Sequence, residues 1–259
     1  MTKITVNTDL CIGCGQCTKD CIWAIPTVID KKVVIPEERK TECFSCGHCA
    51  ATCPTGAITL YNQPAQPIPQ DDSMISIMKR RRGIRQYKTD LIPESEIREM
   101  LNFTKYSASG CNFRPIKFLV LSGEKFKEWV AFGIKKCVES NDPSIPADFK
   151  KMCEQPGMDL FITRGSPHAV FAYGTTDTKF GEYAFDDAVI QLTHFELIAS
   201  QRGYGTLWSA MLKKLMNVPG VMEFVGLKDV KCYHALNLGI PAVKFHHLPP
   251  REDVDVTFI

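Results

Sequence analysis

The sequence predicts an α+β chain in two parts, and three observations carry that expectation. Eight of the twelve cysteines repeat one spacing near the N-terminus, a polar stretch with three prolines follows at Gln63 to Ser73, and beyond it helical periodicity alternates with a few short apolar runs. At 259 residues the chain exceeds one typical domain, and a cysteine-rich part of about sixty residues leaves nearly two hundred for a second core. The expected organisation is a small domain over residues 1–62, an extended linker over 63–73 and a larger domain over 74–259.

The cysteine runs are Cys11-x-x-Cys14-x-x-Cys17-x-x-x-Cys21 and Cys43-x-x-Cys46-x-x-Cys49-x-x-x-Cys53, the second followed by Pro54. A short loop with three thiolates at i, i+3 and i+6 can wrap one corner of an iron–sulfur cube, and the fourth cysteine, displaced by an extra residue, reaches the other cluster. On this reading Cys11, Cys14, Cys17 and Cys53 hold one [4Fe-4S] cluster, and Cys43, Cys46, Cys49 and Cys21 hold the other. Gly13, Gly15 and Gly47 suit the tight loops. Two other uses of the cysteines fit less well. Structural zinc prefers paired Cys-x-x-Cys knuckles with a longer spacer. A disulfide framework belongs to a shorter chain behind a signal peptide, whereas this one opens MTKITVNTDLC with no apolar core.

The two runs are an internal repeat: each leads into a short apolar stretch, Thr27 to Ile35 and Ala57 to Tyr61. Residues 1–62 thereby resemble a bacterial two-cluster ferredoxin. That family usually has proline after the fourth cysteine of both runs, and here Ile22 follows Cys21, which loosens a turn without removing a ligand.

In the larger part, Ser73 caps a helix beginning at Met74, and Pro93 to Leu101 starts another with acidic residues in its first turn, where the helix dipole favours them. Phe118 to Leu121 and Ala169 to Tyr173 read as strands. Phe126 to Val138, Phe185 to Arg202 and Trp208 to Leu215 read as helices, the second with apolar Ala188, Leu192, Phe195 and Ile198 on one face. With 31 basic and 29 acidic residues, the net charge of +2 exerts no bulk pull on nucleic acid or membrane. No apolar run approaches the roughly eighteen residues of a span. Oxygen-sensitive clusters point to a cytoplasmic protein of an anaerobe.

The basic run Lys79 to Arg85 is either a solvated helix end or a phosphate grip, since arginine forks match phosphate oxygens. Its company decides. Arg81-Arg82-Gly83-Ile84-Arg85-Gln86-Tyr87 resembles the opening signature of the FMN-dependent nitroreductase family. Ser107 to Pro115, Gly203-Tyr204-Gly205-Thr206-Leu207-Trp208, Leu238-Gly239-Ile240-Pro241 and Arg251 resemble its later segments, in the same order. The resemblance implies a mixed sheet flanked by helices, assembled as an interleaved homodimer with one FMN in each interface cleft. It implies that Arg81, Arg85 and Arg251 hold the FMN phosphate and ribityl chain, and that Arg82 and Gly83 run along the flavin edge. Ser109 and Asn112 of the partner protomer would approach the ring, and Leu207, Trp208 and Ser209 would offer contacts near the reactive face.

Gly83, Ala108, Arg114 and Ile116 depart from the family pattern. Arg114, in place of a neutral amide, would stabilise reduced flavin or a substrate carboxylate; a surface ion pair is the alternative. Cys111, Cys137, Cys153 and Cys232 are isolated and read as small buried residues. His168, His194, His234, His246 and His247 lack metal spacing. The combined expectation is an iron–sulfur flavoprotein oxidoreductase: a low-potential donor such as a ferredoxin, or NAD(P)H, supplies electrons, two [4Fe-4S] clusters carry them to FMN, and a small electron-poor acceptor is reduced. A redox sensor and a flavin-processing relative are the alternatives.

Overall fold

The structure is a computed structural model that describes residues 4–63, 66–175 and 183–259. The chain divides into two compact units, Met1–Arg80 with Val243–Ile259, and Arg81–Ala242.

In the first unit β1 (Ile4–Val6) pairs antiparallel with β4 (Ile58–Leu60), and β2 (Thr27–Ile29) forms a hairpin with β3 (Lys32–Val34). Helices α1 (Gln16–Asp20) and α2 (His48–Thr52) carry the third cysteine of each run, Cys17 and Cys49. The repeat is visible in the backbone. Gly15 and Gly47 precede the two helices with φ of 71° and 75°, a left-handed conformation that costs a side chain strain and glycine none. Cys21 and Cys53 end them in extended conformation, each with its N–H returned to the carbonyl three residues back. Ile4, Val33, Ile58 and Leu60 pack with Cys11, Cys17, Cys49 and Cys53 into a small core. Ile22 in place of proline leaves this turn intact: Ala24 N–H still bonds to the Cys21 carbonyl at 3.0 Å.

Two boundaries differ from the sequence expectation. Within the stretch expected to be a linker, Pro64 and Ala65 lie outside the described residues, and β5 (Gln66–Pro67) pairs antiparallel with β10 (His247–Leu248). Residues 243–259, expected in the second domain, therefore belong with the first, because the returning chain end supplies the strand that β5 needs. Helix α3 (Met74–Arg80) also groups with the first unit. Ser73 caps it as expected, accepting from Ser76 N–H at 3.3 Å.

The second unit is built on a four-stranded sheet in the order β6 (Lys117–Ser122), β7 (His168–Thr175), β9 (Val230–Gly239), β8 (Gly205–Trp208). Among the described residues all its ladders are antiparallel, and a parallel bridge joins Gly83 to Thr206. Alternation along β7 sends Ala169 and Phe171 to one face and Val170 and Ala172 to the other. On the first face lie α5 (Gly123–Glu139), α6 (Ala147–Cys153), α7 (Met158–Thr163) and α9 (Ala210–Met216), with Trp129 set edge-on to Phe171 at 5.0 Å. On the second lie α4 (Glu94–Phe103) and α8 (Ala184–Gln201), which buries Ala188, Leu192 and Phe195. The helix expectations held to within a few residues at their ends. Strands β8 and β9 were not anticipated: β9 carries Lys231, His234 and Asn237 among its apolar residues, which blurs the period-2 signal. Asn237 is fully buried yet satisfied, donating to the Ile162 carbonyl at 3.1 Å and accepting from Ser166 at 3.1 Å. Among the described residues, no helix is long and apolar enough to cross a membrane.

His168 ties β7 to its surroundings. Its Nε2 accepts from Ile92 N–H at 2.9 Å and its Nδ1 lies 2.7 Å from Ser122 Oγ, so the ring is neutral with the proton on Nδ1. Burial pushes its pKa down to about 4. Because the unfolded value near 6.5 is higher, the unfolded chain binds more protons between these limits. The His168 contribution is then complete above pH 6.5 and is lost as pH falls toward 4, up to about 3 kcal/mol. Urea unfolding of the second unit at pH 7 and pH 5 should show this loss, and His168→Asn should flatten the dependence over that window.

Candidate functional site

The first unit places the cysteines of both runs around shared loops. Cys11, Cys14, Cys17 and Cys53 line one cavity together with Gly13, Gly15 and Thr55. The fourth cysteine of the second run thus joins the first three of the first run. In the second set burial, and after it the nearby Cys46 and Cys21, push the Cys43 thiol up, and burial followed by Cys46 and Cys43 does the same to Cys49. Burial pushes the Cys17 thiol up to about 11. Such thiols stay protonated at neutral pH unless iron supplies the opposing charge. Preformed donors already point at the sulfurs: Val33 N–H to Cys11 Sγ and Ala57 N–H to Cys53 Sγ, both at 3.3 Å. None of the twelve cysteines is paired in a disulfide. Among the described residues no three metal-binding side chains converge on a single-ion site, so the cysteines line a loop-bounded cavity instead. Four thiols spread around one space, with N–H groups directed at two of them, fit a multi-iron cluster.

In the second unit a buried carboxylate organises the residues expected at the flavin. Glu196 of α8, only 4% exposed, accepts from Arg81 at 3.2 Å, from the Thr206 hydroxyl at 3.0 Å and from the Trp208 indole at 3.1 Å. Arg81, with a side chain 37% exposed, keeps part of its fork in reach of a ligand. Ile84 N–H bonds to the Thr206 carbonyl at 2.8 Å, which lays the Arg82 to Arg85 stretch along β8. The fit is close: a Cβ on Gly205 would come 2.4 Å from Ile84 Cγ1. Arg81, Arg82, Gly83, Arg85, Leu207 and Trp208 are thus held about one strand. Ser209 caps α9, accepting from Leu212 N–H at 3.1 Å.

Asp187, also on α8 and also buried, holds the other motif. It accepts from Ser109 Oγ at 2.8 Å and Gly110 N–H at 3.0 Å, and Ser109 Oγ in turn accepts from Arg114 N–H at 2.9 Å. Cys111, Asn112 and Arg114 take left-handed φ of 49°, 55° and 53°, so this loop is strained. Arg114 forms no ion pair among the described residues; its guanidinium donates to Asn112 Oδ1 at 2.9 Å and to the Lys105 carbonyl. Cys111 is exposed, unlike Cys137, Cys153 and Cys232, which are buried as expected.

Arg251, expected at the FMN phosphate, groups with the cysteine-bearing unit, donating to the Cys46 carbonyl at 3.0 Å. The prolines before it keep the chain extended along the cysteine loop, with Pro249 against Gly47. Three residues escaped the sequence reading. Glu196 and Asp187 looked like ordinary helix acids, and only burial reveals them. Arg164, at the end of α7, is held below the usual arginine range by burial and then by the Arg85 cation, which shows a second guanidinium near Arg85.

Removing the Glu196 carboxylate leaves the Thr206 hydroxyl and the Trp208 indole without an acceptor. Glu196→Ala is expected to lower the unfolding free energy by about 2–4 kcal/mol, and Glu196→Gln, which keeps the shape and loses the charge, by less. Urea unfolding followed by tryptophan fluorescence checks this ordering.

A family model described as the nitroreductase family matches residues 78–240, and one described as a 4Fe-4S dicluster domain matches residues 10–58. Over 60 residues the chain is 35% identical to the putative electron transport protein YccM of Escherichia coli, covering 23% of this chain and only 15% of that protein. It is 39% identical over 59 residues to a ferredoxin of Thermococcus litoralis, covering 22% of this chain and 97% of the ferredoxin. Over 176 residues it is 22% identical to the putative NAD(P)H nitroreductase YfhC of Bacillus subtilis, covering 66% of this chain and 85% of that one. A solved nitroreductase with bound FMN from Bacteroides fragilis shares the fold with a TM-score of 0.58 at 18% identity, covering 72% of this chain and 98% of its own. The buried scaffold around β8 and the paired cysteine loops account for both matches: this chain belongs to the nitroreductase family and carries a 4Fe-4S dicluster domain ahead of its nitroreductase domain.

Proposed function

We propose that the chain is an iron–sulfur flavoprotein oxidoreductase, in which electrons from a low-potential donor enter at two [4Fe-4S] clusters and leave through FMN to an electron-poor organic acceptor such as a nitroaromatic or quinone. The observation that carries this reading is the cavity shared by Cys53 with Cys11, Cys14 and Cys17, which makes the two cysteine runs one electron-carrying module instead of two separate sites. Cys43, Cys46, Cys49 and Cys21 form the second set. FMN, when bound, supplies the chemistry that joins one-electron delivery to two-electron reduction.

The chain's own residues hold and shape that site. Arg81 and Arg85 bind the FMN phosphate and ribityl chain, with Glu196 fixing the Arg81 fork and Arg164 adding positive charge beside Arg85. Arg82 and Gly83 pass along the flavin edge, where the pairing of Ile84 with β8 sets their distance from Leu207 and Trp208. Ser109, Asn112 and Arg114 act across a homodimer interface on the partner's flavin, and their strained loop is kept in place by Asp187. Arg114 offers its charge to an anionic acceptor. No side-chain acid or base is assigned to the transfer. A soluble cytoplasmic setting fits this role. Direct reduction by NAD(P)H is the second reading, favoured by the name of the Bacillus subtilis relative.

Anaerobic stopped-flow mixing of the loaded protein with reduced ferredoxin, NADH or NADPH separates these readings. Flavin bleaching with reduced ferredoxin alone is the expected result; bleaching by a pyridine nucleotide alone reverses the assigned direction of electron flow. The ligand assignment has its own check. Cys53→Ser and Cys14→Ser should perturb the same cluster signal in electron paramagnetic resonance, and Cys21→Ser the other, whereas pairing of Cys53 with the Cys43 set would overturn it.

A further inference from the structure

The C-terminal residues form a strap over the second cysteine run, and we infer that its Arg251 is a positioning residue that raises the reduction potential of the cluster held by Cys43, Cys46, Cys49 and Cys21. The inference rests on the two-cluster reading above.

The strap is anchored along its length. His246 N–H bonds to the Ala51 carbonyl at 2.8 Å, the Phe245 ring meets His48 edge-on at 5.8 Å, and His247 and Leu248 pair with Pro67 and Gln66. Pro249 then lies so close to the loop that a Cβ on Gly47 would come 2.5 Å from its own Cβ. Beyond it, Arg251 donates from Nη2 to the Cys46 carbonyl at 3.0 Å and from Nη1 to the Pro250 carbonyl at 3.1 Å, while its own carbonyl accepts from Gln63 at 3.4 Å. A guanidinium is thereby held against the loop that carries a ligand cysteine, with both of its terminal nitrogens engaged.

The first set of cysteines is served differently. Lys32 Nζ donates to the Cys11 and Thr8 carbonyls, both at 2.8 Å, and backbone N–H groups reach Cys11 Sγ and Cys53 Sγ. Lys32 belongs to the hairpin inside the repeat, whereas Arg251 arrives from the far end of the chain. Among the described residues each set thus has one cation bonded to the carbonyl of a ligand cysteine, from two unrelated sources. Reduction adds negative charge to the cluster, so a nearby cation or a donor dipole favours the reduced form and raises the potential. Arg251 is exposed, and solvent and salt weaken its field without abolishing it at such short range. Its removal should therefore act on one cluster alone.

The test is an anaerobic redox titration of the fully loaded protein followed by electron paramagnetic resonance, on the wild type, Arg251→Gln, Arg251→Lys and Lys32→Gln. Arg251→Gln is expected to move one cluster's reduction to lower potential and leave the other in place, and Lys32→Gln to move the other. Arg251→Lys, which keeps the charge but not the fork, should retain most of the wild-type value. The inference is overturned if Arg251→Gln moves neither step or moves both equally, or if Arg251→Lys falls as far as Arg251→Gln. Iron and sulfide contents of the same samples separate the two levels of the argument. A wild-type chain without [4Fe-4S] signals defeats the cofactor reading, whereas a loaded chain with unmoved potentials defeats only the role of Arg251.

Discussion

A carboxylate taken out of water must be met by donors, and in the second unit Glu196 is met by three that arrive from different parts of the chain. Arg81 comes from the segment that opens the unit, and Thr206 and Trp208 come from β8. That convergence forces the arginine-rich segment, the edge strand and α8 into one arrangement. Asp187 repeats the device on the same helix, gripping Ser109 and Gly110. Helix α8 buries Leu192 and Phe195 against the sheet and turns Asp187 and Glu196 toward the segments that need positioning. One element therefore serves both as core and as the support of the site.

The first unit lives under a different constraint. Among the described residues its core has ten buried members, six of them aliphatic and four of them cysteines. A domain this small has little apolar area to bury, and a metal group commonly supplies the missing stability. The raised thiols of Cys17 and Cys49 express the same fact electrostatically: burial that disfavours bare thiolates becomes favourable once iron neutralises them. The strap of residues 243–251 adds a further strand and ring contact to this modest core.

Because the strap returns to the first unit, the segment Arg81–Ala242 lies in sequence between two pieces of that unit. Completing the first unit requires a contact between Cys46 and Arg251, 205 positions apart. Such long-range closure is slow compared with the local pairing of β2 and β3 or the repeat-internal helices. The cysteine loops can therefore take shape before the strap arrives, and Arg251 reaches a surface that is already formed. Its place there follows from prolines that keep the chain extended and from the close approach that only Gly47 allows.

The cysteine spacing by itself marked the eight thiols, and the fold brings Cys53 to the cavity lined by Cys11, Cys14 and Cys17, because a short loop reaches only a few ångströms. Helical periodicity placed α4, α5 and α8, and the ordered motifs marked Arg81 to Arg85, Ser109 to Arg114 and Leu207 to Ser209. The sequence did not show what holds them. Glu196, Asp187 and Arg164 look like surface charges until tertiary packing removes water from around them, and β9 conceals its strand character behind polar residues whose partners lie in distant segments. The fate of Arg251 was likewise decided in three dimensions. Its motif position says only that it is a C-terminal arginine, and which site it serves depends on where the strap finds a strand to pair with and a glycine to pack upon.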